Sequence, residues 1–153
     1  MNIRKVENTE KDCKLVFALS NDPSVRENSF NKEKIEYSNH LRWFGKAVSD
    51  INLLFFLVFD GDDFVGQIRF KRESEQAEEC VISLSITEQF RGKRIALQFL
   101  DLGMQELKKT WPIIKNIVAE VKAENRASNK LFESAGFRRV EAGTVNIYKL
   151  NIN

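Results

Sequence analysis

Three cations in four residues, Arg91-Gly92-Lys93-Arg94, stand just before a run with the apolar spacing of a helix. Cations at a helix start face the positive end of its macrodipole, which is unfavourable by roughly 0.3–1 kcal/mol each when exposed. Backbone N–H groups without acceptors lie at the same place. A phosphate or pyrophosphate would satisfy amides and side chains together; the plainer alternative is a solvated basic loop. A second chemical residue is Glu120, which interrupts the apolar sequence Ile117-Val118-Ala119-Glu120-Val121. Carboxylates in core strands are seldom buried without a partner. Glu120 therefore reads as a general base or as one half of an ion pair with Lys122 or another cation, with ordered water as an alternative proton relay. His40, the only histidine, lies on an apolar stripe with Tyr37, Leu41 and Phe44. Such a histidine is by default packed and hydrogen-bonded, and an acceptor-contacting role competes with that reading. Cys13 and Cys80 are far apart and show no ligand spacing, so no metal is expected.

The elements that position these residues follow from periodicity. Ile3 and Val6 mark a short opening strand, Thr9 to Ser20 a helix, and Asn21-Asp22-Pro23 its end. A second helix is predicted from Lys32 to about Val48. The continuous run Leu53 to Phe59 reads as a strand buried on both faces. Asp60-Gly61-Asp62-Asp63 is a hairpin signal, and Phe64, Gly66, Ile68 and Phe70 alternate along the return strand. In the next strand Cys80, Ile82, Leu84 and Ile86 share one face. Val81, Ser83 and Ser85 share the other, where small side chains leave room for a ligand. The basic loop then opens a helix through Leu107, followed by a strand at Ile117 to Val121. Asn125 to Ala135 forms a helix closed by Gly136, and strands at Phe137 to Val140 and Val145 to Leu150 complete the chain. The order is β-α-α-β-β-β-α-β-α-β-β, a mixed α/β fold read as one domain over residues 1–153, with no repeat or linker.

Composition supports that reading. At 153 residues the chain can bury on the order of 70% of its unfolded surface. With 42% apolar and 30% charged residues, seven Gly and two Pro, it is neither disordered nor fibrous. A net charge of +2 gives no bulk attraction to nucleic acid or membrane. The longest apolar run is far too short to span a bilayer, and the N-terminus lacks the apolar core of a signal peptide. A cytoplasmic protein with reduced thiols is expected.

Two segments carry a family resemblance. Glu88-Gln89-Phe90 followed by Arg91-Gly92-Lys93-Arg94-Ile95-Ala96 resembles the acetyl-CoA-binding motif of the GNAT N-acetyltransferases, Arg91 and Ala96 matching its ends. Val121 to Phe137, with Asn125 opening a helix that ends in Gly136-Phe137, looks like the family's second signature. The resemblance implies a GNAT fold, a mixed sheet of about seven strands flanked by about four helices. It implies that Leu84, Ser85 and Ile86 hold pantetheine and the thioester through backbone groups. Arg91, Gly92, Lys93, Arg94, Ile95 and Ala96 would cradle the pyrophosphate, and Asn125 would reach the pantetheine arm unless it is simply a helix N-cap. Glu120, five residues before that Asn, falls where protein-acetylating members keep a catalytic Glu. Two departures stand out: Arg94 replaces the motif's middle glycine, and Phe132 replaces the usual tyrosine proton donor. Tyr148 on the final strand is then the tyrosine that could reach the cleft.

The segment Arg26-Glu27-Asn28-Ser29-Phe30 with His40-Leu41-Arg42-Trp43-Phe44 is similar to the acceptor side of the branch that acetylates nucleotide-linked amino-sugars, as in pseudaminic acid synthesis. By that resemblance Ser29, Phe30, His40 and Trp43 contact a small amine acceptor, a UDP-linked 4-amino-4,6-dideoxy sugar. The competing readings are a ribosomal-protein-type N-terminal acetyltransferase and a non-catalytic acyl-CoA-binding module. Unpartnered edge strands leave a homodimer open.

Overall fold

The computed structural model describes residues 1–153. Its elements run β1 (Asn2–Lys5), α1 (Glu10–Ser20), α2 (Pro23–Glu27), α3 (Tyr37–Ser49), β2 (Leu53–Asp60), β3 (Asp63–Lys71), β4 (Glu79–Ile86), a single 3-10 turn (Glu88–Phe90), α4 (Ala96–Thr110), β5 (Asn116–Lys122), α5 (Arg126–Ser134), β6 (Arg138–Glu141) and β7 (Val145–Asn151). The strands form one sheet in the order β1-β2-β3-β4-β5-β7-β6. Only β4 and β5 pair in parallel. The expected mixed sheet of seven strands is thus present, with five helices where about four were predicted.

The additional helix is α2. Asp22 caps it by accepting from the Ser24 and Val25 amides, and Pro23 occupies its first turn, where a missing N–H costs nothing. The helix predicted from Lys32 begins only at Tyr37. Asn21 explains the delay: its carboxamide pairs with both backbone groups of Ile35, at 2.7 and 2.9 Å, and holds that segment extended.

Alternation along the strands sorts the core into two layers. Leu54, Phe56 and Val58 of β2 face α4 and α5 in a cluster of 21 buried residues. Phe55 and Leu57 face α1 and α3 in a cluster of seven. The Phe-rich run is therefore buried on both faces, as its unbroken hydrophobicity implies. Asp12, nearly fully buried, ties α1 to β1 through a two-pronged bond to Arg4, both contacts at 2.8 Å. Desolvation opposes its charge, but the Arg4 guanidinium and the Glu7 amide outweigh it and hold the carboxyl below the usual aspartate range.

Candidate active site

The site begins where β4 and β5 part. Their parallel register runs from Glu79↔Asn116 to Ile82↔Ala119 and then stops, although both strands continue. Leu84, Ser85 and Ile86 are paired with β3 on one side only. Except for the Ile86 carbonyl, which accepts from Arg91 Nε, their remaining peptide groups are available to a ligand, since backbone donors seldom stay unpaired without one or water. Over the opening lies a cleft of ≈ 420 Å³, bounded by the β4–β5 seam, by Arg69 and Gln67 of β3, by α2 and the segment after it, and by the start of α5.

Most of the expected residues converge there. Leu84, Ser85, Ile86, Arg91, Glu120, Asn125, Ser29 and Phe30 all line the cleft. Glu120 is exposed on β5, on the face shared with Val118 and Lys122. No ion pair claims it. The pairing with Lys122 weighed from sequence does not form, because that ammonium donates to the Glu27 carbonyl at 3.3 Å. Glu120 is thus a free carboxylate directed into the opening. Asn125 caps α5, accepting from the Ser128 amide at 3.2 Å while its Nδ2 donates to Ser128 Oγ at 3.1 Å. Its cap role is satisfied within the fold, and its place on the cleft wall remains.

The basic loop differs from expectation in detail. The three cations precede α4 rather than lying in its first turn, which starts at Ala96 with no side-chain cap. Gly92 (φ 72°) and Arg94 (φ 60°) are both left-handed. Arg94 thus adopts the conformation that the family motif assigns to glycine, at a strain of roughly 1–2 kcal/mol. Left-handed residues of this kind are a feature of anion-binding nests, in which successive backbone N–H groups converge. Arg91 turns inward: its Nε donates to the Ile86 carbonyl at 2.9 Å and its guanidinium pairs with Asp22 at 3.1 Å. The Asp22 carboxyl, despite desolvation, is held below its usual range by Arg91 and by the α2 amides. Arg91 thereby ties the loop to β4 and α2. Lys93 and Arg94 are the exposed cations.

Two residues expected on the acceptor side lie elsewhere. His40 is buried between α1 and α3, its Nε2 bonded to the Cys13 carbonyl at 2.9 Å. A ring nitrogen facing a carbonyl must donate, and burial pushes the imidazole pKa down, so His40 is a neutral packing residue outside the cleft. Trp43 lines an adjoining groove that shares Arg69 and Ser83 with the cleft.

Sequence reasoning missed Arg69 and Gln67. Arg69 stacks on Trp43 and Phe55, with its guanidinium carbon 5.0 and 5.4 Å from the ring centroids. Its one side-chain hydrogen bond is from Nε to Ser83 Oγ at 3.3 Å, and no carboxylate neutralises it. Burial without a counter-ion, with the charge of Arg26 adding to it, pushes its pKa down to about 10, still charged at neutral pH. Arg26 is also free of carboxylates and spends its donors on the carbonyls of Ser20, Asn31 and Glu33 and on Ser29 Oγ.

The last strand keeps Tyr148, which the sequence left able to reach the cleft, out of it. Tyr148 is fully buried, and its hydroxyl meets Asn129 Oδ1 at 2.6 Å and Glu133 Oε1 at 3.0 Å. Its pKa is raised by burial first and by Glu133 second, and the side chain does not line the cleft. Phe132 does line it, and the α5 terminus fixes its place. The Phe137 amide donates to the Phe132 carbonyl and the Gly136 amide to the Glu133 carbonyl, with Gly136 at φ 89°. That is the double bond of a Schellman ending. Its hydrophobic contact is the edge-on Phe132–Phe137 pair at 5.0 Å, and Phe132 also stacks on Tyr148 at 6.1 Å. Tyr148→Phe should therefore lower stability by about 0.5–1.5 kcal/mol, the net worth of one hydrogen bond, because Asn129 Oδ1 keeps Asn146 Nδ2 as a donor and Glu133 is exposed to water. Turnover should stay within about twofold of wild type, since the hydroxyl faces away from the cleft; a thermal melt and an initial-rate assay check both.

Comparison with known proteins agrees with this geometry. The sequence model of the acetyltransferase (GNAT) domain matches residues 1–138. Acetyltransferase PseH of Campylobacter jejuni is 25% identical over 132 residues, covering 86% of this chain and 80% of that protein. Among solved structures, Vibrio cholerae spermidine N-acetyltransferase with CoA and spermine superposes with a TM-score of 0.85 at 17% identity, covering 98% of this chain and 94% of that one. Campylobacter jejuni PseH in complex with acetyl coenzyme A superposes at 0.77 and 17% identity, covering 99% and 100%. With nine-tenths of its length matched by the family model and the strand seam, glycine-wound loop and helix-opening Asn in place, the chain belongs to the GNAT acetyltransferase family.

Proposed function

We propose that the protein transfers the acetyl group of acetyl-CoA to the primary amine of an anionic small molecule, of which a UDP-linked 4-amino-4,6-dideoxy sugar fits best. The observation that carries this reading is the charge layout of the cleft: Arg69 without a counter-ion on the same sheet face as the unpaired carboxylate Glu120. A cation for phosphate and a carboxylate for the amine suit a molecule bearing both charges. The sequence resemblance to the amino-sugar branch supports the same class.

The chemistry follows from the groups present. Pantetheine would lie along the unpaired edge of Leu84–Ile86, and the loop amides and Lys93 and Arg94 would hold the pyrophosphate. A β4 amide aimed at the thioester oxygen would stabilise the developing oxyanion, which is usually the largest electrostatic contribution to acyl transfer. Glu120 would take the proton of the incoming ammonium, directly or through water. The amine nitrogen bonds to the carbonyl carbon, the C–S bond breaks, the sulfur leaves as thiolate, and the nitrogen gives up its second proton to water as the amide forms. Phe132 offers it no proton, and with a thiol pKa of about 8–9 it can leave unprotonated or take one from water.

A polyamine acceptor is the second reading, motivated by the fold shared with the spermidine enzyme. Against it, Arg69 and Arg26 would repel a polycation, whereas they would draw in phosphate. Release of free thiol from acetyl-CoA, measured with the UDP-amino-sugar, spermidine and an N-terminal peptide in parallel, separates the readings. The nucleotide sugar is expected to react fastest; preference for spermidine would overturn the acceptor assignment. Acetyl-CoA binding without turnover on any amine would indicate the binding-module alternative.

A further inference from the structure

Gln67 lies in the middle of β3 with Leu57 of β2 on one side and Ser85 of β4 on the other. It is 2% exposed. Its Oε1 is the one fully buried side-chain polar atom in the molecule with no hydrogen-bond partner. Leaving such a group unsatisfied is costly, and nearly all buried polar atoms avoid it. An apolar side chain of similar length would fill the position against Leu57 without that cost. The carboxamide nevertheless forms part of the cleft wall, on the face that carries Arg69, Ser83, Ser85 and Glu120. Its cross-strand neighbour Ser85 belongs to the unpaired β4 edge, so Gln67 stands one strand away from where the thioester is expected.

We infer that Gln67 binds the attacking nitrogen of the acceptor: a turn of the carboxamide about its last side-chain bond brings the oxygen, closed to solvent in this structure, to the cleft wall, where it accepts one N–H of the amine. A neutral primary amine has two N–H groups and one lone pair. A fixed acceptor on one N–H aims the lone pair, and Glu120, across the opening, removes the surplus proton. Binding of the substrate thus supplies the partner that the fold withholds. The inference rests on the acetyl-transfer reading but not on the acceptor being a nucleotide sugar.

Two substitutions test it. Gln67→Met keeps the volume and removes the acceptor; Gln67→Glu keeps an oxygen at the same reach. Whichever of the UDP-amino-sugar, spermidine and an N-terminal peptide wild type acetylates fastest serves as the probe. A reaction fastest with spermidine would overturn the anionic-acceptor reading while leaving Gln67 under test. Gln67→Met should lower kcat/KM for the amine about tenfold, the typical worth of one hydrogen bond in a water-excluded site. KM for acetyl-CoA should not change, and Gln67→Glu should recover most of the loss. At the same time Gln67→Met should melt at a higher temperature than wild type, because an unpartnered buried amide is gone. If no probe reacts, the acetyl-transfer reading fails and the inference with it, since a raised melting temperature alone shows only that the carboxamide is unpartnered. A lower melting temperature would show that Gln67 supports the fold and overturn the inference, as would kcat/KM within twofold of wild type.

Discussion

Glu120→Gln should lower kcat by about 10²–10⁴-fold, the range a positioned general base contributes, while acetyl-CoA affinity stays close to wild type. The separation is expected because Glu120 sits on β5, across the seam from the β4 edge and away from the basic loop. The loss should be greatest at low pH. There the acceptor arrives mostly as an ammonium, and without a base the reaction waits for the small free-amine fraction. At high pH the amine is already neutral, and the variant should approach wild type. Because the carboxylate takes part in no ion pair or cap, the substitution should leave the melting temperature within error, so lost activity cannot be lost fold. A Gln variant with wild-type turnover across the pH range would assign the deprotonation to water or to the substrate itself.

How far the site was legible from sequence depends on where each residue takes its partners. Glu120 could be found because a carboxylate in an apolar strand breaks a local pattern, and the seam that frees it is where β5 outruns its pairing with β4. Residues 84–86 came from the family resemblance, while the small-residue face of Val81, Ser83 and Ser85 beside them is visible in a few letters. What Arg91 and Tyr148 bond to was hidden for the opposite reason. Their partners, Asp22 and Asn129, are brought near by tertiary packing, across 69 and 19 positions, and no periodicity records that. His40 followed its default, buried and bonded to Cys13. Arg69 and Gln67 were invisible because Val65, Gln67, Arg69 and Lys71 alternate with Phe64, Gly66, Ile68 and Phe70. That alternation reads as an ordinary solvent face. It becomes a cleft floor only because Asp22 starts α2 and Asn21 keeps the following segment extended, so that both lie over the sheet.

Arg69→Met should cut kcat/KM for a UDP-linked amino-sugar by about 10–100-fold, the worth of one charge-assisted contact to phosphate. Methionine retains the flexible apolar body that packs on Trp43 and Phe55, so the substitution removes charge more than volume. Lysine in its place would restore charge without the planar fork, and Arg69→Lys should recover only part of the loss. The fold itself should not suffer. Losing the stacking of the guanidinium on Trp43 and Phe55 costs about 0.5–1 kcal/mol, and losing a desolvated cation that has no carboxylate offsets it. Acceptors without phosphate supply the decisive control. A neutral amine should lose little activity in Arg69→Met, and spermidine should gain, because its repulsion by Arg69 is gone while that of Arg26 remains. An equal loss on all three acceptors would mean that Arg69 shapes the cleft through Trp43 and Ser83 rather than binding an anion. A loss confined to the nucleotide sugar, with an unchanged KM for acetyl-CoA, would identify Arg69 as the residue that selects a phosphate-bearing substrate.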